Sequence, residues 1–340
     1  MQTLRTCLIV LAVAGSLAAA SFRQARPAAG GSADVTTRVV TVANAFLAAL
    51  TPAERGAATF AFNSPQRTRW SNLPSGIFQR EGLRLGDLSA AQRGAALAVV
   101  QAALSADGYR KVTQIMNGDE VLKQQGGGAR FGRDEYYIAL LGTPSATAPW
   151  LLQFGGHHLA INVTIAGNQS VMTPSLPAAQ PARYVLNGET IRPLGRENDK
   201  GFVLVNALDA AQRKQAILNY RVSDLVLGPG EDGRTIAPEG LRASAMTPMQ
   251  QAMLLDLAHE WVGILNEPAA NAKMAELKSN LPQTWFAWSG PTTNGTVAYF
   301  RIQGPTVVIE YAPQRGDLMH VHTIYRDPTN DYGAKLTAGR

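Results

Sequence analysis

The sequence predicts an α+β fold with an internally duplicated unit, a helical hairpin followed by a four-stranded antiparallel meander. The first observation is a helical spacing of apolar residues in "LSAAQRGAALAVVQAALSADGYRKVTQIMNGDEVLKQ". The second is a set of short segments in which β-branched and aromatic residues alternate with small ones between Gly and Pro. The third is recurrence. "GLRLGDLSAAQRGAALAVV" from Gly82 aligns with "GLRASAMTPMQQAMLLDLA" from Gly240, and "FGGHHLAINV" from Phe154 aligns with "IQGPTVVIEY" from Ile302. Two halves that share only an α-then-β order, with chance identities, are the alternative.

Length and composition fit a globular protein of one or two domains. A chain of 340 residues can bury one large core or two smaller ones. A hydrophobic content of 46% with 16% charged residues excludes a wholly disordered or collagen-like chain. The formal net charge is +6, but Lys and Arg are scattered without a basic run interleaved with aromatic residues. This pattern argues against nucleic-acid binding.

The N-terminus has the pattern of a secretory signal peptide over residues 1–20. Arg5 precedes an apolar run, and Ala18 and Ala20 form an A-x-A cleavage site before Ser21. The run is too short to span a membrane, and no later segment approaches the required length of about 18 apolar residues. We therefore expect a periplasmic or secreted protein without a stable membrane span after cleavage, and a retained anchor is the alternative. Cleavage would remove Cys7, the only cysteine, and with it any disulfide or thiolate chemistry.

The rest of the chain divides into segments of different composition. The segment after the signal is rich in Pro, Gly and Ala and predicts a flexible lead-in. The predicted segments are this lead-in (21–34), a first α+β half (35–175), a connection (176–245), a second α+β half (246–333) and a tail (334–340).

Several helices are predicted from apolar spacing and capping residues. A helix over Val35–Leu50 opens the first half. Ser89 is placed as the N-cap of the helical hairpin, which is expected to break at Asp107–Gly108. The "GGG" at Gly126–Gly128 lacks the Lys and Ser/Thr of a phosphate loop and predicts a plain linker. The connection is expected to contain one helix near Asn206–Tyr220.

Strand signals follow each hairpin. In the first half, "DEYYIALLG", "APWLLQFGG", "HHLAINVTIAG" and "QSVMTP" predict an antiparallel meander. In the second half, "TVVIEYA" and "LMHVHTIYRD" flank "PQRGD", which has the Gly and Asp of a hairpin loop.

The second hairpin carries a group of polar residues that are candidate metal ligands. Pairing Ala312 with Leu318 at the turn would place Glu310 opposite His320. Because side chains alternate along a strand, His320 and His322 would share one face. Two imidazoles and a carboxylate match the ligands of a divalent metal, whose identity the pattern leaves open. An acid/base pair in which Glu310 orients His320, and a plain hydrogen-bonded polar patch, are the alternatives.

The first half contributes two adjacent histidines at the start of a predicted strand. His158 shares a face with Ala160 and Asn162, so it is the better candidate for the site. His157 falls on the more apolar face, where a core role and a site role are both open.

The segment "RDPTNDYG" reads as a turn with charged residues. Arg326 is a candidate for binding an anionic group or for an internal salt bridge, and Asp327 is a further catalytic candidate. Asp331 is expected to stabilise the turn. His259, on an apolar helical segment, is more typical of a core residue than of a ligand. Core packing is also the expected use of four tryptophans, with an aromatic wall for a ligand as the alternative: Trp70, Trp150, Trp285 and Trp288.

Common catalytic motifs do not occur. "HEWVG" lacks the second His of a zinc-protease helix, and "LGPGEDGRT" lacks the spacing of a dinucleotide-binding loop. There is no G-x-S-x-G nucleophile motif.

Five segments together resemble a bacterial family known only as domain of unknown function number thirty-five hundred. They are "RTRW", "AALSADGYRKVTQIM", "GGHHLAIN", "GPTVVIEY" and "HVHTIYRDPTNDYG", and the resemblance covers nearly all of the chain after the signal. It implies export but no established activity. The positions marked by the family's motifs, without assigned roles, are His157, His158, Glu310, His320, His322, Arg326, Asp327, Asp331 and Tyr332.

Two functions remain in view if the histidines lie together, and a structural or interaction module is the third if they scatter. The first is an exported metal-dependent enzyme, most simply a hydrolase, with His158, His320, His322 and Glu310 as metal ligands. Glu310, Arg326 and Asp327 would serve catalysis, and the substrate would be a small molecule or polymer-derived. The second is a non-catalytic periplasmic protein that binds a metal or small ligand.

Overall fold

The computed structural model describes residues 31–338 of the chain. The helices are α1 (Ser32–Ala48), α2 (Pro52–Ala58), α3 (Ala90–Ala103), α4 (Ala106–Leu122), α5 (Gly195–Ala207), α6 (Ala210–Ala216), α7 (Pro248–Val262), α8 (Glu267–Ser279) and α9 (Ala334–Thr337). The strands are β1 (Thr59–Phe60), β2 (Leu83–Arg84), β3 (Tyr137–Leu141), β4 (Trp150–Gly156), β5 (Leu159–Ala166), β6 (Gln169–Val171), β7 (Ser175–Pro177), β8 (Tyr184–Leu186), β9 (Glu189–Ile191), β10 (Leu241–Arg242), β11 (Trp285–Ser289), β12 (Tyr299–Gly304), β13 (Val307–Pro313) and β14 (Val321–Arg326).

The predicted α+β class is confirmed, and the strands of both halves form one mostly antiparallel sheet. Its order is β1-β3-β4-β5-β7-β14-β13-β12-β11-β10, with β2 added beside β3 and β6 beside β5. The two meanders meet where Tyr325 of β14 pairs with Ser175 of β7. The histidine-bearing ends of both meanders therefore lie next to each other at the middle of the sheet.

Alternate residues of the strands face two different cores. Ile138 and Leu140 belong to the larger core, which includes buried residues of the helices such as Phe46. Ala139 belongs to a smaller core, which also contains Trp70. Helices thus cover one face of the sheet, while long connections cover the other. Of the four tryptophans, Trp150 and Trp288 are fully buried, Trp70 is buried and Trp285 is half-buried.

The helical hairpin forms as predicted at its start and differs at its break. Ser89 caps α3 in a reciprocal arrangement with Gln92. The break lies at Leu104–Ser105, because the Ser105 side chain accepts a hydrogen bond from the Gly108 N–H and so caps α4. Gly108 lies in the first turn of α4, where a Cβ would collide with the carbonyl group of Ile264. The close contact with α7's C-terminal turn, rather than a helix break, accounts for this glycine.

Other sequence expectations need correction. The first helix begins at Ser32 and ends at Ala48, slightly before the predicted bounds. The single helix expected over Asn206–Tyr220 is instead α5 and α6, which Asp209 separates by capping α6. The glycines expected to form a linker belong partly to a π-helical turn over Lys123–Gly127. His259 is exposed rather than part of the core. The predicted signal peptide and Cys7 lie outside the described residues.

Matching local features follow Gly82 and Gly240. Both glycines have positive φ, at 98° and 93°. Each is followed by a two-residue strand, a 3-10 turn and a helix with a reciprocal cap, Ser89 with Gln92 and Thr247 with Gln250. The duplication of the whole unit stays a prediction. No helix among residues 31–338 is both long and apolar enough to cross a membrane.

Candidate metal centre

His158 is held in an unusual backbone conformation by the turn between β4 and β5. Gly156 pairs with Leu159, so His157 and His158 are the two central residues of the turn. His158 has a φ of 60°, in the left-handed region that residues with a Cβ rarely adopt. Its N–H donates to the Asn72 carbonyl (3.1 Å), and its carbonyl accepts from the Ala178 N–H (2.9 Å). These bonds fix the direction of the imidazole.

His320 and His322 come from the other half of the chain. His320 directly precedes β14, and His322 is the second residue of that strand, opposite Ala312 of β13. The Nε2 atoms of these two side chains are 3.0 Å apart, which confirms that they share a face. Because β14 lies beside β7, and β7 beside β5, this face adjoins the turn that carries His158.

Three imidazole Nε2 atoms converge at this place. The Nε2 atom of His320 is 2.8 Å from that of His158 and 3.0 Å from that of His322. The ring centroids are 4.7–5.4 Å apart, with interplanar angles of 49–83°. The rings therefore point their nitrogen atoms at a common centre instead of stacking.

Between neutral imidazoles, these two Nε2 contacts cannot both be ordinary two-centre hydrogen bonds. Each Nε2 has one in-plane position, which holds either a proton or a lone pair. His322 donates from Nδ1 to the Asp224 carboxylate (2.9 Å), so in its neutral form Nε2 carries a lone pair. If His320 Nε2 is protonated and donates to His322, it cannot accept from His158. If it carries a lone pair instead, it faces the lone pair of His322.

A single cation removes this conflict, because it accepts a lone pair from all three nitrogen atoms. Zn²⁺ binds imidazole nitrogen at about 2.0–2.1 Å, which puts two tetrahedral donors about 3.3 Å apart. The observed spacing of 2.8–3.0 Å is a few tenths of an ångström shorter, a difference that small ring rotations supply. The donor set fits a divalent metal of intermediate softness.

Asp224 fixes the orientation of His322. The carboxylate also accepts from the Gln314 amide (3.2 Å) and from the Leu225 N–H (2.8 Å), so it is itself held in place. A carboxylate on the second nitrogen of a ligating histidine sets the tautomer and increases the basicity of the ligand nitrogen. Asp224 is thus placed to hold a metal-binding histidine in position without contacting the ion itself.

The predicted pairing of Glu310 with His320 is wrong. Glu310 lies opposite Ile324, because the loop after β13 is longer than the assumed "PQRGD" turn and shifts the register. Its carboxylate accepts from the Val226 and Leu227 N–H groups (both 2.8 Å) and from the Tyr299 hydroxyl (2.9 Å). Glu310 therefore anchors the loop that carries Asp224 and is not among the residues that converge with the histidines.

Arg326 anchors the same loop from the next strand. It donates to the carbonyl groups of Leu227 (2.9 Å) and Gly228 (3.0 Å) and to the carboxylates of Asp232 (2.9 Å) and Asp331 (3.1 Å). With these partners and only 2% of the residue exposed, the guanidinium is not placed to receive a substrate anion.

Asp327 and Asp331 stabilise the turn after β14. Asp327 pairs with the Lys273 ammonium (2.6 Å) and accepts from Thr329, while Asp331 accepts from the Asp327 N–H (3.0 Å). Burial raises the pKa of Asp331 to about 6. Tyr332 donates from its hydroxyl to Asp232 (2.9 Å) and completes this network.

His157 lies against His158 on the helix side of the turn. Its ring centroid is 3.6 Å from that of His158, and its Nδ1 is 2.6 Å from the Asp119 carboxylate of α4. The edge of Phe131 contacts the same ring, with centroids 4.7 Å apart. His157 is thus both buried and next to the converging histidines.

Burial keeps His158 and His320 neutral near pH 7. It lowers the pKa of His158 well below the ordinary value, and the neighbouring histidines lower it further. Burial, followed by the charge of His322, lowers the pKa of His320 to about 4. Neutral imidazoles offer lone pairs without a competing proton, as metal binding requires.

Comparison with known proteins agrees with the resemblance seen in the sequence. The model of a protein family of unknown function, DUF3500, matches residues 32–334. The chain belongs to this family. Neither a curated protein nor a solved structure matches the DUF3500 chain.

Within the DUF3500 site, His320 is the least buried of the three histidines. His158 and His322 are 2% and 4% exposed, whereas His320 is half-buried. Leu318 and Met319, which precede His320, are exposed. An ion held by the three nitrogen atoms would thus lie nearest to solvent on the side of His320.

Three residues of the DUF3500 site were missed by sequence reasoning. Asp224 and Asn72 lie in long connections, and Asp119 lies on a helix, so none carries a motif or periodic signal. Asn72 lies 3.3 Å from His322 through its side-chain nitrogen and also accepts from the His158 N–H. Only the three-dimensional structure brings these residues to the histidines.

Proposed function

We propose that this DUF3500 protein is an exported metal-dependent hydrolase whose ion is held by His158, His320 and His322. The observation that carries the proposal is the convergence of three imidazole Nε2 atoms whose close contacts a shared cation would satisfy. Three protein ligands with one open position is the usual composition of a catalytic zinc site. A divalent ion in such a site lowers the pKa of bound water and so supplies hydroxide near neutral pH.

The surrounding residues have positioning roles in this proposal. Asp224 orients His322, while Glu310 and Arg326 hold the loop that presents Asp224. The Asn72 amide, whose nitrogen lies 3.3 Å from Nε2 of His322, would orient a bound water or a substrate oxygen. Export rests on the signal-peptide pattern of residues 1–20, and the substrate would be a small or polymer-derived molecule.

A non-catalytic metal-binding protein is the second candidate. The near-complete burial of His158 and His322 favours it, because storage and structural sites are closed to solvent. The two candidates make the same prediction for metal content and opposite predictions for turnover.

Elemental analysis of the purified protein tests the ion. We expect wild type and the exposed-site control His259→Ala to carry bound divalent metal, and His320→Ala/His322→Ala to carry at least one equivalent less. Equal metal content in all three proteins would reject the centre. Turnover of chromogenic ester, phosphate and glycoside substrates that is lost on chelation and restored by metal would support the hydrolase. Full metal content without turnover of any substrate class would support the binding protein.

The internal duplication is also proposed here, because matching features follow Gly82 and Gly240. Under this proposal one ancestral unit supplied both meanders, and the metal centre arose once, at their junction. A structure in which no single rotation superposes α3, α4 and β3–β5 on α7, α8 and β11–β13 would reject the duplication.

A further inference from the structure

His158 has a second nitrogen that the proposed centre does not use. Its Nδ1 is buried and has no hydrogen-bond partner. Ligation through Nε2 would leave a proton on Nδ1 with nothing to accept it, and buried polar groups without partners are rare in native proteins. This nitrogen is on the opposite side of the ring from His320 and His322.

A second set of metal-binding groups lies on that side. Asp119, His157 and His158 are all buried, and each offers a ligand atom within 4.8 Å of the others. Asp119 is 1% exposed, and its second oxygen accepts from the Gly132 N–H (2.9 Å), which holds the carboxylate toward His157. The group is thus a buried, pre-positioned site, unlike an exposed cluster of acids.

We propose that Asp119, His157 and Nδ1 of His158 bind a second divalent metal ion, so that the His158 ring bridges two ions. This inference rests on the proposed trihistidine centre, since His158 supplies Nε2 to that centre. On binding of the second ion, the Nδ1–H bond breaks, its proton leaves to solvent and the nitrogen lone pair forms the new metal bond. His158 is then an imidazolate with one negative charge.

The second site contains negative charge that opposes the ion. The Asp119 carboxylate offsets one of the two positive charges of a divalent ion, and the imidazolate, which is shared with the first ion, offsets part of the other. A buried charge is tolerated when it is paired and coordinated in this way. The hydrogen bond between Asp119 and His157 (2.6 Å) must open by about 0.7 Å to reach the spacing of about 3.3 Å between two metal ligands, and the His157 proton moves from Nδ1 to Nε2 so that the Nδ1 lone pair faces the ion.

Copper titration of the full-length, chelator-treated protein tests the bridge, with electron paramagnetic resonance as the readout. We expect two Cu²⁺ per chain, with full signal after the first equivalent and a large loss of signal at the second, because an imidazolate couples the two spins. Asp119→Asn should bind one Cu²⁺ with full signal, while the surface control Asp256→Asn should behave as wild type. If Asp119→Asn does not fold, His157→Phe, which preserves the ring packing against Phe131, takes its place.

The variants separate this inference from the proposed centre. One ion that is lost in His320→Ala/His322→Ala but kept in Asp119→Asn would overturn the second site and leave the proposed centre intact. One ion that is kept in His320→Ala/His322→Ala but lost in Asp119→Asn would overturn the proposed centre and the bridge. Two ions without spin coupling would also overturn the bridge, because they would not share His158. Absence of bound copper would reject both sites.

Discussion

Removal of the Asp224 carboxylate tests whether His322 is a metal ligand with an outer-shell partner. Asp224→Asn keeps an oxygen that can accept the His322 Nδ1 proton, so the tautomer is retained while the negative charge is lost. Asp224→Ala removes both the charge and the 2.9 Å hydrogen bond. Mutation of such partners costs about 10- to 100-fold in metal affinity. We therefore expect a loss of about tenfold for Asn and about 100-fold for Ala.

The expected losses correspond to about 1.4 and 2.7 kcal/mol of binding free energy, at about 1.4 kcal/mol for each factor of ten. Competition with a fluorescent zinc chelator measures them directly. The fold should survive in both variants, because Glu310 and Arg326 hold the loop independently of Asp224. Asp134→Ala, which removes a half-buried acid that pairs with Arg93, is the matched control. Zinc affinity within twofold of wild type in Asp224→Ala would refute the outer-shell role.

Three further predictions follow from the same geometry. In urea titrations, the free energy of unfolding of His158→Ala should be about 1 kcal/mol lower than that of His158→Gly. Both variants leave nearly the same cavity, but only Ala has a Cβ that is strained at a φ of 60°. Equal stability of the two variants would contradict the strain. Since the pKa of His158 and His320 is lowered when folded, the metal-free protein should keep full stability above pH 6.5 and lose it as the pH falls toward 4. A flat stability profile would contradict the neutral burial of both imidazoles. Glu310→Gln should lower the free energy of unfolding by about 2 kcal/mol, since the carboxylate accepts three hydrogen bonds. The metal content should not change. Loss of metal in this variant would show that Glu310 is a metal ligand after all.

The strained turn at His158 indicates that the site costs stability. A left-handed backbone at a residue with a Cβ, an unpartnered buried nitrogen and neutral buried imidazoles are all unfavourable in the metal-free protein. Binding of an ion to the folded state alone would offset these terms by mass action. The metal centre and the fold are therefore expected to stabilise each other.

Local features were predictable because they depend on neighbouring residues. The cap at Ser89 follows from the hydroxyl of Ser and the Gln three residues later. The shared face of His320 and His322 follows from the two-residue period of a strand. The register of Glu310 was not predictable in the same way, because it depends on the length and shape of the loop after β13. Because the loop after β13 is longer than predicted, the Glu310 carboxylate contacts the backbone of residues 226–227 and not the histidines.

The sequence by itself determined the α+β class, the capped helices, the hairpins and the two pairs of histidines, since hydrophobic period, turn residues and capping act over a few positions. Only the tertiary structure decided that β7 and β14 pair, which places His158 beside His320 and His322 from a position 162 residues earlier in the chain. It also decided that Asp224 contacts His322 and that Asp119 contacts His157. Contacts over such distances depend on the packing of whole elements against one another, and no short pattern records that packing.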